Sequence, residues 1–151
     1  MRPWQSFFRR ALLSASIGLA ALLGGSAAAD DTHVLIVAHP SLAVSNLSTE
    51  DLTRIYLLRQ SLWPDGAMVV PVNREASSPV RSLFTTAVLQ QTANALANHW
   101  QQMHFKGKNP PLVQESDQAV LAFVQKVPGA VGYVSADTPV GDGVKVLGKL
   151  P

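Results

Sequence analysis

The chain has 151 residues, of which 47% are hydrophobic and 15% are charged, and it contains no cysteine. This composition is too apolar for an intrinsically disordered chain, and the length predicts a single domain. The lack of cysteine excludes disulfides, thiolate metal sites, cysteine nucleophiles and lipid attachment at a lipoprotein cysteine. The formal charge of +2 is typical of a mildly basic protein.

The N-terminal segment has the features of a cleaved secretory signal. Three arginines within the first ten residues precede a short apolar run, and the alanines at 27–29 form a small-residue cleavage site. The run is short for a membrane span, which needs about 20 apolar residues. We therefore predict a signal peptide at residues 1–29 and a soluble, periplasmic domain at residues 30–151. The general and twin-arginine export routes both stay open.

Removal of residues 1–29 changes the charge, because this segment carries three arginines and no acidic residue. Nine basic residues then face ten acidic ones, which makes the formal charge −1. No dense basic stripe remains, so the charge pattern predicts no nucleic-acid partner.

The predicted elements begin with a continuous apolar run at residues 33–38, which is typical of a strand buried on both faces. Ser48, followed by two acidic residues, predicts the start of a helix. The apolar face of this helix consists of Leu52, Ile55 and Tyr56.

A turn and a second apolar run follow. The sequence Trp-Pro-Asp-Gly at 63–66 predicts a turn, and residues 68–72 are apolar. Pro71 within this run argues against a central position in a sheet, because proline cannot donate to a strand ladder.

Three further helical patterns alternate with strand-like runs. Ser78 and Pro79 suit the N-cap and first position of a helix, and Ser116 suits another N-cap. Between them, an apolar pattern at 93–103 predicts a helix with Trp100 in the core. Short runs at 130–134 and 144–147 predict the last strands. The alternation indicates an α/β domain.

The loop between the run at 68–72 and the Ser78 helix is the best candidate for a binding site. Unpaired N–H groups and the helix dipole favour an oxyanion there, and arginines add charge-assisted hydrogen bonds. The alternative is a capped helix whose arginines pair with Glu75 or another carboxylate. The candidate anion ligands are Asn73, Arg74, Ser77, Ser78 and Arg81.

Other chemistries have little support in the sequence. His99 and His104 are five residues apart and point to different helix faces, unlike a zinc-binding pair. Neither a G-x-S-x-G elbow nor a G-x-x-x-x-G-K-[ST] phosphate loop is present. We therefore predict no catalytic residue, no metal site and no cofactor, and hence a protein that is not an enzyme.

Four short motifs lie in a characteristic order along the chain. They are Leu47-Ser48-x-x-Asp51-Leu52-x-x-Ile55-Tyr56, then Trp63-Pro64-Asp65-Gly66, then Val72-Asn73-Arg74 with Ser78-Pro79-x-Arg81-x-x-Phe84, and finally Pro128-Gly129-Ala130-Val131-Gly132-Tyr133-Val134. This order resembles the phosphate-type periplasmic substrate-binding proteins of ABC transporters. The resemblance implies a class II periplasmic-binding-protein fold, in which a mixed β-sheet is flanked by helices and two lobes close over an oxyanion. The length corresponds to a single lobe.

The resemblance also implies partners and ligand residues. Arg74 and Ser78 match the arginine and serine of the family's phosphate loop, and a membrane transporter is the implied partner. Pro79 and Val80 stand where the family has glycine and threonine, which removes one N–H and one hydroxyl donor. We expect weak binding of phosphate or another small oxyanion. The alternative is a protein-interaction module that has lost ligand binding, and a homodimer is a further way to complete the site.

Overall fold

The computed structural model describes residues 33–151, so the predicted signal peptide lies outside the described residues. The strands are β1 (Val34–Ala38), β2 (Val70–Arg74), β3 (Leu112–Gln114), β4 (Ala130–Ser135) and β5 (Lys145–Leu150). The helices are α1 (Thr49–Tyr56), α2 (Pro79–Phe84), α3 (Ala93–Phe105) and α4 (Asp117–Lys126), and α2 continues into a π-helical turn at Thr85–Leu89.

The five strands form one mixed sheet in the order β3-β2-β4-β1-β5. β1 pairs antiparallel with both β4 and β5, whereas β2 pairs parallel with β3 and β4. The predicted α/β fold with a mixed sheet flanked by helices is confirmed.

The strands predicted from the apolar runs are confirmed: those at 33–38, 68–72 and 130–134 lie in the middle of the sheet, and the run at 144–147 forms the edge strand β5. In β1, Val34, Val37 and Ala38 are fully buried, as a strand covered on both faces requires. β3 escaped prediction because it has only three residues, too few for an alternating pattern, and two of them are exposed.

The expectation that Pro71 disfavours a central position in the sheet is wrong, because β2 lies between β3 and β4. The N–H of Val70 donates to the carbonyl of Gly129 on the β4 side at 3.0 Å. Alternation along the strand therefore turns the nitrogen of Pro71 toward β3, where pairing begins only at Val72. Proline is tolerated because its missing donor has no partner at that point.

Helices cover both faces of the sheet. On one face, α1 and α2 contribute Tyr56 and Phe84 to a cluster with Tyr133 of β4. On the other face, α4 packs Val120 and Val124 against the sheet. A Cβ on Gly132 of β4 would lie 2.7 Å from Val120 Cγ1, so only glycine permits this close approach.

The three predicted N-caps are confirmed. The hydroxyl oxygens of Ser48, Ser78 and Ser116 accept hydrogen bonds from the N–H groups three residues ahead. At Ser48 the cap is reciprocal, because the Asp51 carboxylate accepts from the Ser48 N–H at 3.0 Å. The hydrogen bond from the Ser48 hydroxyl at 2.7 Å, followed by that from the Ser48 N–H, lowers the pKa of Asp51 below its ordinary range.

The predicted turn at 63–66 is confirmed, and it joins two of the sequence motifs. Gly66 adopts a φ of +86°, which favours glycine. The indole N–H of Trp63 donates to the carbonyl of Gly129 at 2.9 Å. Gly129 has a φ of +81°, and a Cβ there would meet the carbonyl oxygen of Met68. The hydrogen bond from Trp63 thereby holds the turn against the residue that precedes β4.

The placement of Trp100 in the core is wrong. The helix α3 has the predicted location, but none of its residues is buried, and Trp100 is only half-buried. A hydrogen bond between His99 Nε2 and the carbonyl of Leu57, at 3.0 Å, links α3 to the end of α1. The residues packed on the two faces of the sheet come from α1, α2 and α4, and α3 lies outside these layers. None of the helices within residues 33–151 has the length and hydropathy of a membrane span.

Candidate functional site

The candidate site lies at the carboxyl end of β2, where the chain turns into α2. The strand delivers Asn73 and Arg74 to the sheet edge, and residues 75–78, here called the β2–α2 loop, connect it to the helix. Ser78 ends the loop as the N-cap of α2. The structure therefore gathers Asn73, Arg74, Ser78 and Arg81 into one region.

The guanidinium of Arg74 is almost fully buried and is held by two carboxylates. Its Nε and Nη2 donate to the two carboxylate oxygens of Glu75, each at 3.0 Å. Its Nη1 forms an ion pair with Asp117. The hydrogen bonds from Arg74 hold the pKa of Glu75 below its ordinary range. This is the arginine–carboxylate pairing that the alternative interpretation of the loop predicts.

Asp117 is the member of the site that the sequence did not reveal. It is the first residue of α4, and its second oxygen accepts from the Ser135 N–H at 3.0 Å and from the Thr138 hydroxyl at 2.5 Å. The parallel pairing of β2 with β3 aligns Arg74 with Gln114, three residues before Asp117. An acidic residue directly after the Ser116 cap is visible in the sequence. Only the register of β2 against β3 shows that this residue lies near Arg74.

Arg81 has a different environment from Arg74. Its Nη1 donates to the backbone carbonyl of Arg74 at 2.7 Å, and its side chain is half-buried. Among residues 33–151, no carboxylate lies within the 4.0 Å that defines an ion pair with Arg81. Arg81 thus forms no direct ion pair, although its positive charge adds to the lowering of the Glu75 pKa that the hydrogen bonds from Arg74 chiefly cause.

The start of α2 offers few free donors. Pro79 has no N–H, and the N–H of Arg81 donates to the Ser78 hydroxyl at 3.4 Å. The Ser78 N–H donates to the Glu75 carbonyl at 3.1 Å, and Ser78 is 2% exposed. Within the described part of the chain, the N–H of Val80 has no acceptor. Ser77, in contrast, is exposed.

Asn73 faces inward toward Tyr133. Its side-chain oxygen accepts from the Tyr133 hydroxyl and from the Arg74 N–H, the latter at 3.1 Å. Tyr133 is also stacked on Phe84, with ring centroids 3.9 Å apart. Burial raises the pKa of Tyr133 to about 12. The Asn73 oxygen therefore fixes the end of β2, and its amide nitrogen remains as a donor.

A cavity elsewhere on the domain shares none of these residues. It has a volume of about 320 Å³ and lies between the extended segment 43–46 and the turn residues Pro64 and Asp65. The candidate anion ligands therefore do not line this cavity.

The comparisons with known proteins agree with the resemblance at the level of the fold. No family model matches the sequence. Among solved structures, the chain is similar to an ABC-type phosphate transport receptor from Vibrio cholerae, with 24% identity, a TM-score of 0.62 and 77% of this chain covered. It is also similar to a phosphate ABC transporter substrate-binding protein with bound phosphate from Clostridium perfringens, with 21% identity, a TM-score of 0.59 and 77% coverage.

A third similar structure is PstS from Borrelia burgdorferi, with 17% identity, a TM-score of 0.60 and 77% of this chain covered. The matched region spans 44%, 45% and 46% of the Clostridium, Vibrio and Borrelia chains, respectively. The chain therefore has the fold of less than half of each of these proteins.

Proposed function

We propose that the protein is an exported, non-enzymatic domain that binds a small oxyanion of the phosphate class weakly at the β2–α2 loop. The observation that carries the proposal is Arg81, a half-buried cation at the loop without a carboxylate partner among the described residues. The likeness of the fold to proteins named for phosphate transport supports the ligand class. The neighbouring donors are the Val80 N–H and the Ser77 hydroxyl.

Weak binding follows from the state of Arg74. Its guanidinium already donates to Glu75 and Asp117, so an incoming anion competes with two carboxylates that belong to the chain. Those carboxylates also repel an anion by direct charge interaction. In addition, Pro79 supplies no N–H at the helix start. We expect a dissociation constant on the order of millimolar.

The proposed location rests on the sequence. The arginine-rich start, the apolar run and the alanines at 27–29 support a signal peptide at residues 1–29 that is removed on export. The domain at 30–151 is then soluble in the periplasm. A membrane transporter is the partner that the similar structures suggest, since they are named as transport receptors or substrate-binding proteins.

Isothermal titration of the exported protein with phosphate and with sulfate tests the proposal. Arg81→Ala is expected to abolish the binding heat. Glu75→Gln is expected to tighten binding about fivefold, because it removes a competing negative charge and leaves Arg74 in place. The matched control is Arg59→Ala, since Arg59 is exposed and lies outside the loop. Absence of heat with both the wild type and Glu75→Gln, or equal binding by Arg81→Ala, would contradict the proposal.

The second candidate is a protein-interaction module without ligand binding. The ion pairs of Arg74 with Glu75 and Asp117 favour this candidate, because they occupy the guanidinium of Arg74 without any ligand. Cross-linking in the periplasm followed by mass spectrometry should then recover a stoichiometric partner. Light scattering after size-exclusion chromatography distinguishes a homodimer, in which a second copy contributes residues to the site.

A further inference from the structure

The end of α3 carries the most exposed large apolar side chain of the described residues. Phe105 is 81% exposed and is followed by Lys106, Gly107 and Lys108; residues 105–108 are called the α3 tip. Leu112 and Val113, on the edge strand that follows, are 54% and 53% exposed. Three exposed large apolar side chains within one short stretch of sequence are a feature of surfaces that bind a partner.

The tip lies in a segment without negative charge. Residues 76–114 contain Arg81, Lys106 and Lys108 and not one Asp or Glu. Lys106 and Lys108 are exposed, and neither has an ion-pair partner within residues 33–151. The tip is therefore locally cationic, although the domain as a whole is close to neutral.

Hydrogen bonds fix the shape of the tip. The N–H groups of Lys106 and Lys108 donate to the carbonyl of Met103 at 3.0 and 2.9 Å, and the Gly107 N–H donates to the carbonyl of His104 at 2.9 Å. Gly107 has a φ of +72°, a conformation that glycine adopts without strain. The helix thus ends in a closed turn, so presenting Phe105 and the lysines costs little ordering entropy.

We propose that the α3 tip docks onto an anionic lipid surface, with Phe105 entering the interfacial region and Lys106 and Lys108 contacting lipid phosphates. Anionic lipids match the charge of the lysines, and an aromatic ring gains by insertion below the headgroups. A stable protein interface buries about 800 Å² on each partner and needs a broad face. The tip comprises only four residues, and the α3 sequence ahead of it is rich in neutral amides, so insertion into lipid suits it better than a broad interface with an acidic protein.

This site is separate from the β2–α2 loop and does not rest on oxyanion binding there. None of the candidate anion ligands belongs to the tip. The two proposals therefore fail independently, since Arg81→Ala tests one and substitutions at 105–108 test the other.

Sedimentation of the exported protein with vesicles tests the proposal. We expect binding to vesicles of equal phosphatidylglycerol and phosphatidylcholine, weakening at high salt, and none to phosphatidylcholine alone. Phe105→Ser should weaken binding about tenfold, and the double variant Lys106→Gln, Lys108→Gln about twentyfold. Matched controls are Met68→Ser, at a residue that is 70% exposed, and Lys149→Gln, also at an exposed position. Both should bind like the wild type.

Three results would overturn the proposal. The first is no sedimentation of the wild type with anionic vesicles at low salt. The second is an equal loss for the Met68 or Lys149 control. The third is cross-linking from position 105 to an acidic protein together with vesicle binding that Phe105→Ser leaves unchanged. Circular dichroism and urea unfolding show whether each variant keeps the wild-type fold. We expect that all of them do, because the substituted side chains are exposed.

Discussion

Phe84 and Phe105 are the same residue type near the ends of two helices, and they have opposite environments. Phe84 is 1% exposed and is stacked on Tyr133, whereas Phe105 is 81% exposed. The helix that contains Phe84 faces the sheet, and the helix that contains Phe105 lies outside the layers. An apolar side chain at a helix end is therefore buried only where its helix packs against the sheet.

The same contrast separates α4 from α3. Both were predicted as helices, α3 from its apolar pattern and α4 from the Ser116 cap. Val120 and Val124 of α4 are fully buried, whereas α3 has no buried residue. Gly132 lets α4 approach the backbone of β4 closely. Stability should therefore depend on the sheet with α1, α2 and α4, while α3 is free to serve contacts with other molecules.

The largest expected effect comes from matched truncation of the two phenylalanines. Phe84→Ala removes a buried ring and its stacking with Tyr133, so it should lower the free energy of unfolding by about 3–5 kcal/mol. Phe105→Ala should change it by less than about 0.5 kcal/mol, since that ring is already in water. Urea unfolding followed by tryptophan fluorescence measures both. Similar losses for the two variants would show that α3 is part of the core.

An intermediate effect is expected at the buried ion pair. Asp117→Asn keeps the shape of the side chain but removes a negative charge from the buried Arg74, and Glu75 compensates only in part. We expect a loss of about 2 kcal/mol in the free energy of unfolding. Asp142→Asn is the control, because Asp142 is exposed. Thermal unfolding of both variants compares them, and an unchanged melting temperature for Asp117→Asn would refute the role of the pair.

The smallest expected effect depends on pH. The pKa of Glu75 is lowered from its ordinary value of 4.5, chiefly by hydrogen bonds from Arg74. The ionised carboxylate thus stabilises the fold above the ordinary pKa, and this contribution is lost as the pH falls through the lowered value. Glu75→Gln should cost about 0.5–1 kcal/mol at neutral pH, because the carboxylate is partly exposed, and almost nothing in acid. Urea unfolding of both proteins across this pH range measures the difference.

Much of the fold could be predicted from local patterns. The runs at 33–38 and 130–134 became the buried strands β1 and β4, and the serine caps at 48, 78 and 116 formed as expected. These signals succeed because capping and strand burial depend on a few neighbouring residues. β3 was missed because three residues carry no period, and Pro71 was misjudged because its tolerance depends on where pairing with β3 begins.

Only part of the candidate site could be predicted from the sequence. Arg74, Ser78 and Arg81 follow one another closely, so their meeting at one loop was predictable. The pairing of Arg74 with Asp117 joins residues 43 positions apart and follows from the register of β2 against β3. That pairing determines whether Arg74 is available to an anion.

The sequence by itself determined the α/β class, the helix starts and the position of the charged loop, because each depends on local conformational preference and hydrophobic periodicity. Only the tertiary structure decided that Arg74 is neutralised by Glu75 and Asp117 while Arg81 is not, since charge pairing depends on distance in space. It also decided that α3 lies outside the core. An amphipathic pattern shows that a helix can be buried, but burial requires a place in the packed layers, and in this fold α1, α2 and α4 take those places.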